Sequence, residues 1–286
     1  MPSREAGSSV FAEFVNRKER EAIEAQLPPY KTVFDARPDD LLAIGNDWSR
    51  RMVDGDFYVS PPPDPTRPAC SLVFVQSADG NTGAPNPSTL GGGQTDKHLI
   101  YEGLSRVAAD AVMAGAGTAR GGRMIFSVWH PELVRLRASL GKPRHPAQII
   151  ATLLGIDIEH DLLFNVPDIR VVLLTVRACQ TLMGDELSAR PWITTIVMDD
   201  RGRLLEAFEQ LRALGLERIS CVGGRTLAAQ LIDAGLVQDL YLTTSPRTGG
   251  EPGTPIYPKP LNAEPVVRKI GTGAEAGVVF EHVRLT

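Results

Sequence analysis

Ala111-Val-Met-Ala-Gly115-Ala-Gly117-Thr118-Ala-Arg120 reads as a short buried strand that ends in a glycine turn and opens a helix. A second stretch, Ile219-Ser-Cys-Val-Gly223-Gly224-Arg225-Thr226-Leu227, repeats that order. Glycine lets the backbone approach an anion closely, and the helix start behind it presents unpaired N–H groups with partial positive charge. Thr118 and Thr226 add hydroxyl donors, while Arg120 and Arg225 could meet a phosphate with a planar fork. Taken singly, either turn is explained as well by plain turn geometry. Two of them, each with Thr and Arg at the helix entry, put a nucleotide site on equal terms with that reading.

A Rossmann unit would need a third glycine and an acid on the next strand to hold a ribose. Gly115-Ala-Gly117 lacks the third glycine, and the next candidate strand ends at Thr152. A Rossmann unit is therefore not expected. Arginine at the turns and no ribose acid suit a 2′-phosphate, which favours NADPH over NADH.

Outward from the turns the chain alternates strand and helix signals. Residues 70–76, 148–152, 169–174, 193–198, 218–222 and 237–244 read as strands. Thr95 is placed to cap a helix carrying Leu99, Ile100, Leu104, Val107 and Ala108 on one side. Leu204, Leu205, Phe208, Leu211 and Leu214 trace a helical stripe that stops at Gly215, and 226–234 is a third helix. Residues 266–270 and 278–285 close the chain as an antiparallel pair. This order predicts an α/β fold: a mixed, mostly parallel sheet flanked by helices and ending in antiparallel strands.

Ser60-Pro-Pro-Pro-Asp-Pro-Thr-Arg-Pro68 holds five prolines in nine residues and reads as an extended connector. It sets residues 1–68, with a helix-like segment over 10–26, apart from a main domain at 69–286. No catalytic cluster stands out in this leader, which is expected to pack as an arm on the main domain or on a second subunit. The chain of 286 residues is 43% hydrophobic and 22% charged, which excludes wholesale disorder. A net charge of −4 offers no basic footprint for nucleic acid. No apolar run approaches the ~20 residues of a membrane span, and the charged N-terminus lacks a signal-peptide core, so a cytoplasmic protein is expected. Cys70, Cys179 and Cys221 are too scattered for a zinc ribbon or a disulfide framework. His130-Pro-Glu132 matches the first triplet of a zinc deaminase, but no paired cysteines follow, so no metal is expected. His98, His145, His160 and His282 show no ligand spacing.

Strand 70–76 runs into Ser77-Ala-Asp79-Gly80, which places a hydroxyl and a carboxylate at the edge of the sheet where α/β ligands bind. An Asx turn serving only local N–H groups is the alternative. With this motif the order of blocks resembles the C-terminal reductase domain of the riboflavin-biosynthesis deaminase/reductase. Ser77-Ala-Asp79-Gly80 is similar to that family's Ser-Leu-Asp-Gly. Ser105-Arg106-Val-Ala-Ala-Asp110-Ala-Val-Met-Ala-Gly-Ala-Gly-Thr118 resembles its Leu-Arg-Ala-x-x-Asp-Ala…Gly-x-Gly-Thr block. Val222-Gly-Gly-Arg-Thr-Leu-Ala228, then Gly235-Leu-Val-Gln-Asp-Leu240 and Pro246, resembles its closing block. The resemblance covers about 69–286, without the deaminase half.

The resemblance implies a dihydrofolate-reductase-like fold and NADPH-dependent reduction of 5-amino-6-(5-phosphoribosylamino)uracil by a homodimer. It implies cofactor contacts at Gly115, Gly117, Thr118, Arg120, Gly223, Gly224, Arg225, Thr226 and Leu227, with Thr152 and Thr175 at strand ends. It also implies substrate contacts at Ser77, Ser88 and Arg106, the last two on the sugar phosphate, and a catalytic role for Asp79. The bland alternative for Arg106 is an ion pair with Asp110 or Glu102. The chain departs from the family pattern at Asn81, Val222 and Gly122, where charged residues are usual, and 123–142 is longer than expected. A pterin reductase of the same fold and a non-catalytic NADPH-binding protein remain as alternative readings.

Overall fold

Strand and helix signals condense onto one large sheet in the computed structural model, which describes residues 4–120, 124–198 and 204–285. The strands are β1 (Tyr30–Asp35), β2 (Leu42–Ile44), β3 (Phe57–Val59), β4 (Ala69–Gln76), β5 (Ala111–Gly115), β6 (Ala147–Ala151), β7 (Val171–Val176), β8 (Ile193–Met198), β9 (Arg218–Cys221), β10 (Asp239–Thr244), β11 (Pro265–Gly271) and β12 (Val279–Arg284). The sheet runs β1-β11-β12-β10-β4-β9-β5-β6-β7-β8, while β2 and β3 pair separately. From β10 to β8 every neighbouring pair is parallel, and β12, β11 and β1 extend the sheet antiparallel. The central strands are mostly apolar, broken by the buried Gln148 and Ser220, because both faces are covered, as a parallel sheet requires.

Alternation sorts the strand residues between two layers. Leu72, Met113, Ile149 and Val172 face helices Leu204–Ala213 and Arg225–Asp233. Val112, Ala114, Ile150 and Val171 face the opposite layer, as do Val73 and Tyr241, which pack on Leu99, Ile100, Leu104 and Val107. Each fully buried leucine there contributes ~1.5–3 kcal/mol. The Leu204 stripe is narrower than predicted, since Leu205 is 44% exposed. Gly215 ends that helix with φ +84°, as its C-terminal position required.

The helical run 93–107 departs from expectation at both ends. Thr95 does not cap it; its hydroxyl donates to the Pro28 carbonyl, and Glu275 from the chain's far end accepts the Gln94 and Thr95 N–H groups at 2.6 and 3.1 Å. Asp96–Leu104 is wound with wide π turns, made possible by Gly103, whose added Cβ would stand 2.6 Å from Leu133 and 2.8 Å from the His98 carbonyl. The C-terminal carbonyls of Arg106, Val107 and Ala109 all accept from Arg137 Nη1. Arg137 sits on helix Pro131–Ser139, so part of the long 123–142 segment serves to close this helix.

The leader supplies β1, the outermost strand, and helix Arg4–Glu24, which packs Phe14 edge-on to Trp129 and pairs Lys18 with Glu102. Helix Asp47–Val53, β2 and β3 were not foreseen in the irregular part of the leader. His130 stacks on Trp48 at 4.1 Å and accepts the Glu132 N–H to cap helix Pro131–Ser139. Among the described residues no helix is long and apolar enough to cross a membrane.

Candidate functional site

The chain leaves β5 towards β6, β7 and β8, then returns to place β9 between β5 and β4 before β10 lands beyond β4. Crossovers therefore diverge at β5 and β9, and the crevice outside such a switch point is where open α/β sheets take ligands. Both glycine turns lie there. Val222 N–H donates to the Met113 carbonyl at 2.9 Å, and Gly115 N–H donates to the Gly223 carbonyl at 3.2 Å. Gly223 and Gly224 have φ +155° and +94°. A Cβ on Gly223 would come within 3.0 Å of the Thr118 side chain. Gly117 is exposed, with nothing within 4 Å of its Cβ direction. Helix Arg225–Asp233 begins behind Gly224 with no side chain capping it, whereas the helix after Gly115, Ala116–Ala119, is a single turn. The anion-binding N-terminus therefore belongs to the second turn. This cradle fits the diphosphate of a dinucleotide.

Not every expected cofactor residue shares in it. Arg225 and Thr226 are exposed at the helix entry, and Arg225 pairs loosely with Glu251 at 3.7 Å. Leu227 is buried beneath the turn, and Arg120 is exposed beyond the first. Thr152 donates to the Gly155 carbonyl and Thr175 to the Thr152 carbonyl, so both hydroxyl protons are committed to the backbone. Gly122 and Arg123 lie outside the described residues.

The Ser77-Ala-Asp79-Gly80 turn follows β4, on the other side of β9. Gly80 takes φ +80°, and the loop after β10 clasps the turn. Ala78 N–H donates to the Arg247 carbonyl, the Ser77 hydroxyl to the Gly249 carbonyl, and Gly249 N–H to Asp79 Oδ1 at 3.2 Å. Asn81, buried in place of the family's usual cation, donates to Asp79 Oδ2 at 3.0 Å and accepts from Thr254 N–H. The Ser77 hydroxyl, then the Gly249 amide, hold the Asp79 carboxyl below its ordinary value although it is exposed. Asp79 is thus an anion at neutral pH, able to accept hydrogen bonds.

The two phosphate candidates are not brought together. Ser88 is exposed on the 87–90 turn, its hydroxyl on Asn86. Arg106 is 1% exposed. Neither expected ion pair forms: Asp110 takes Lys142 and the Glu217 and Arg218 N–H groups, and Glu102 takes Lys18 and His98. Arg106 instead lies over the Tyr101 ring, 4.5 Å from its centroid, and donates to the Ser127 carbonyl at 3.0 Å. An exposed arginine does flank the Ser77 turn: Arg247, which has no ion-pair partner among the described residues.

Sequence reasoning passed over Asp96. Its Oδ1 accepts the Thr243 hydroxyl at 2.5 Å, and β10 places Thr243 beside Val75 at the end of β4. Burial raises the Asp96 pKa to about 7 against the effect of that hydrogen bond, and the Glu275 charge adds to the rise. The folded protein therefore holds a proton that the unfolded chain has lost between about pH 4 and 7. Stability from this group is lost as the pH rises through that window, on the order of a few kcal/mol. Asp96→Asn keeps an acceptor for Thr243 and removes the titration. The wild type should lose ground to this variant steadily from pH 4 to pH 7 in paired thermal melts; a constant difference in Tm would refute the assignment.

A mostly parallel sheet closed by antiparallel strands, with glycine turns at its switch point, defines the dihydrofolate-reductase-like class of α/β domain. Residues 68–272 match the RibD C-terminal domain family, and the chain belongs to it. Members are reductases of riboflavin biosynthesis, and the chain is an oxidoreductase of that kind, a class that implies a nicotinamide cofactor. Among solved structures it resembles a pyrimidine reductase-like protein from Corynebacterium diphtheriae, at 21% identity over 76% of this chain and 91% of that one, TM-score 0.56. It also resembles Acinetobacter baumannii RibD, at 14% identity over 77% and 58% of the two chains, TM-score 0.57. The Thermotoga maritima diaminohydroxyphosphoribosylaminopyrimidine deaminase/5-amino-6-(5-phosphoribosylamino)uracil reductase matches at 17% identity over 76% and 56%, TM-score 0.53. This chain thus spans little more than half of the last two proteins, and at these identities the likeness concerns the fold. Among curated protein sequences none matches the chain.

Proposed function

We propose that the chain reduces 5-amino-6-(5-phosphoribosylamino)uracil to its ribitylamino product with NADPH, as a cytoplasmic homodimer. The observation that carries this reading is one sheet edge holding a cradle of two glycine turns and, one strand away, an ionised Asp79 turn. The bound cofactor would supply a hydride to C1 of the sugar in its imine tautomer. The chain's own residues bind and orient. Gly115, Gly117, Thr118, Gly223 and Gly224 would receive the diphosphate, with Arg120, Arg225 and Thr226 at the rim; Leu227 supports the cradle from below. Asp79 would accept from the amino-pyrimidine, and Ser77 holds the turn through Gly249. With Asp79 ionised, the proton that completes the reduction comes from water. Ser88 and the exposed Arg247 would receive the 5′-phosphate, the part that the family pattern gives to Arg106.

NADPH is expected to bind at least about tenfold more tightly than NADH, a difference of ~1.4 kcal/mol. Calorimetric titration with both cofactors checks this, and equal affinities would remove the 2′-phosphate from the reading. Oxidation of NADPH on adding the phosphoribosylaminouracil, followed by its absorbance, tests the reaction itself. The enclosure of Arg106 favours one other substrate class, a pterin without a phosphate. An enzyme that reduces dihydropterins and ignores the phosphorylated pyrimidine would decide for that class.

A further inference from the structure

Arg106 is among the largest fully buried side chains, and its Nε and Nη2 meet no hydrogen-bond partner. Burial works against this cation, and the Tyr101 side chain and the Glu102 charge offset that only in part, so an apolar residue of like volume would ordinarily serve packing better. Its surroundings give it a different use. On one side the guanidinium lies on the Tyr101 ring, whose hydroxyl donates to the Val222 carbonyl at 3.4 Å, immediately before Gly223. On the other, Nη1 donates to Ser127 and the guanidinium stands 5.6 Å from the Phe126 ring centroid, on the segment that returns from the first glycine turn. That segment is itself clamped to β6, since Phe126 N–H donates to Gln148 Oε1 and the Gln148 amide donates to the Phe126 carbonyl. Gly223 and Gly224 have no Cβ to hold their backbone, so the cradle needs support from outside the turn. The π-wound segment carries Tyr101 and runs directly into the turn Ser105–Val107 that carries Arg106.

We propose that Arg106 is a positioning residue for the nucleotide cradle: from inside the protein it fixes the second glycine turn through Tyr101 and Val222, and the return from the first through Ser127 and Phe126. The inference rests on the NADPH reading above and departs from the phosphate role that the family pattern gives this arginine. Arg106 orders the binding loop and never touches the substrate.

The test uses the full-length chain and five proteins: wild type, Arg106→Met, Arg106→Lys, Tyr101→Phe and the Arg106→Met/Tyr101→Phe double variant. NADPH affinity is read by calorimetry, Tm by thermal melt, and the Michaelis constant for the phosphorylated pyrimidine at saturating NADPH. Arg106→Met fills the space without the cation, and Tyr101→Phe removes the hydroxyl that reaches Val222 and also meets Arg106. Each is expected to weaken NADPH about tenfold, with little change in Tm and in the Michaelis constant. Arg106→Lys, which keeps a cation over the ring, should recover part of that loss. In the double variant the losses should fall short of additive, because both residues act through one contact. Lowered Tm with unchanged NADPH affinity would make Arg106 a packing residue and overturn the proposal. A raised Michaelis constant with unchanged NADPH affinity would return it to the substrate phosphate. A wild-type protein that binds no NADPH at all would instead overturn the functional reading on which the inference rests.

Discussion

Gly223→Val is expected to abolish measurable NADPH binding, a loss of at least about a hundredfold. Two effects combine at this position. The backbone holds φ +155°, where a β-branched residue is strained by ~1–3 kcal/mol. The new Cβ would also stand 3.0 Å from Thr118 Cγ2 and Oγ1, so the cradle must open or the valine must fill it. The strain lowers Tm by several degrees, but the fold should persist, because β9 and its neighbours are held by apolar packing on both faces. Circular dichroism and calorimetric titration on the same sample check both halves. Gly117→Ala supplies the contrast: with open space around it and no positive φ, it should leave Tm unchanged. If Gly223→Val folds and binds NADPH as the wild type does, the turn is structural only.

The parts of this site that were legible in the sequence are local. Strands 111–115 and 218–221 announce themselves as apolar runs, and glycines after them can be read as close-approach points because one residue type serves a single backbone need. The antiparallel close at β11 and β12 is visible for the same reason. What escaped depends on partners far along the chain. Glu275 caps the helix at Gln94 and Thr95, so Thr95, by local rules a good cap, is free to bind Pro28. Arg106 carries a family motif that suggests an exposed cation, yet Tyr101, Ser127 and Phe126 enclose it, and none of those three is marked by spacing. Asp96 reads as an ordinary first-turn acid of a helix; only its burial beside Thr243 and Glu275 lifts its pKa to about 7. Asn81 stood out as a departure from the family's cation, but its use, holding Asp79 against the loop after β10, needed the three-dimensional contact to Gly249 and Thr254.

Asp79→Asn is expected to lower kcat/KM for the phosphorylated pyrimidine about 10–100-fold, the loss of a charge-assisted hydrogen bond of ~1.5–3 kcal/mol. Asparagine keeps an oxygen for the Gly249 N–H but turns an amide towards the Asn81 donor, so the turn should persist with a small fall in Tm. NADPH affinity should stay close to that of the wild type, because Asp79 belongs to the turn after β4 and the cradle to β5 and β9. The pH dependence separates an orienting anion from a proton donor. A carboxyl held below 3.8 by the Ser77 hydroxyl and the Gly249 amide is already ionised throughout the neutral range. The wild-type and Asn profiles of kcat/KM should therefore run parallel between about pH 5 and 8, offset by a constant factor. A profile in which wild-type activity falls as pH rises through neutrality, and the Asn variant is flat, would make Asp79 the acid after all. Equal activity of the two proteins would leave Asp79 as an Asx-turn residue that serves only Gly249 and Asn81.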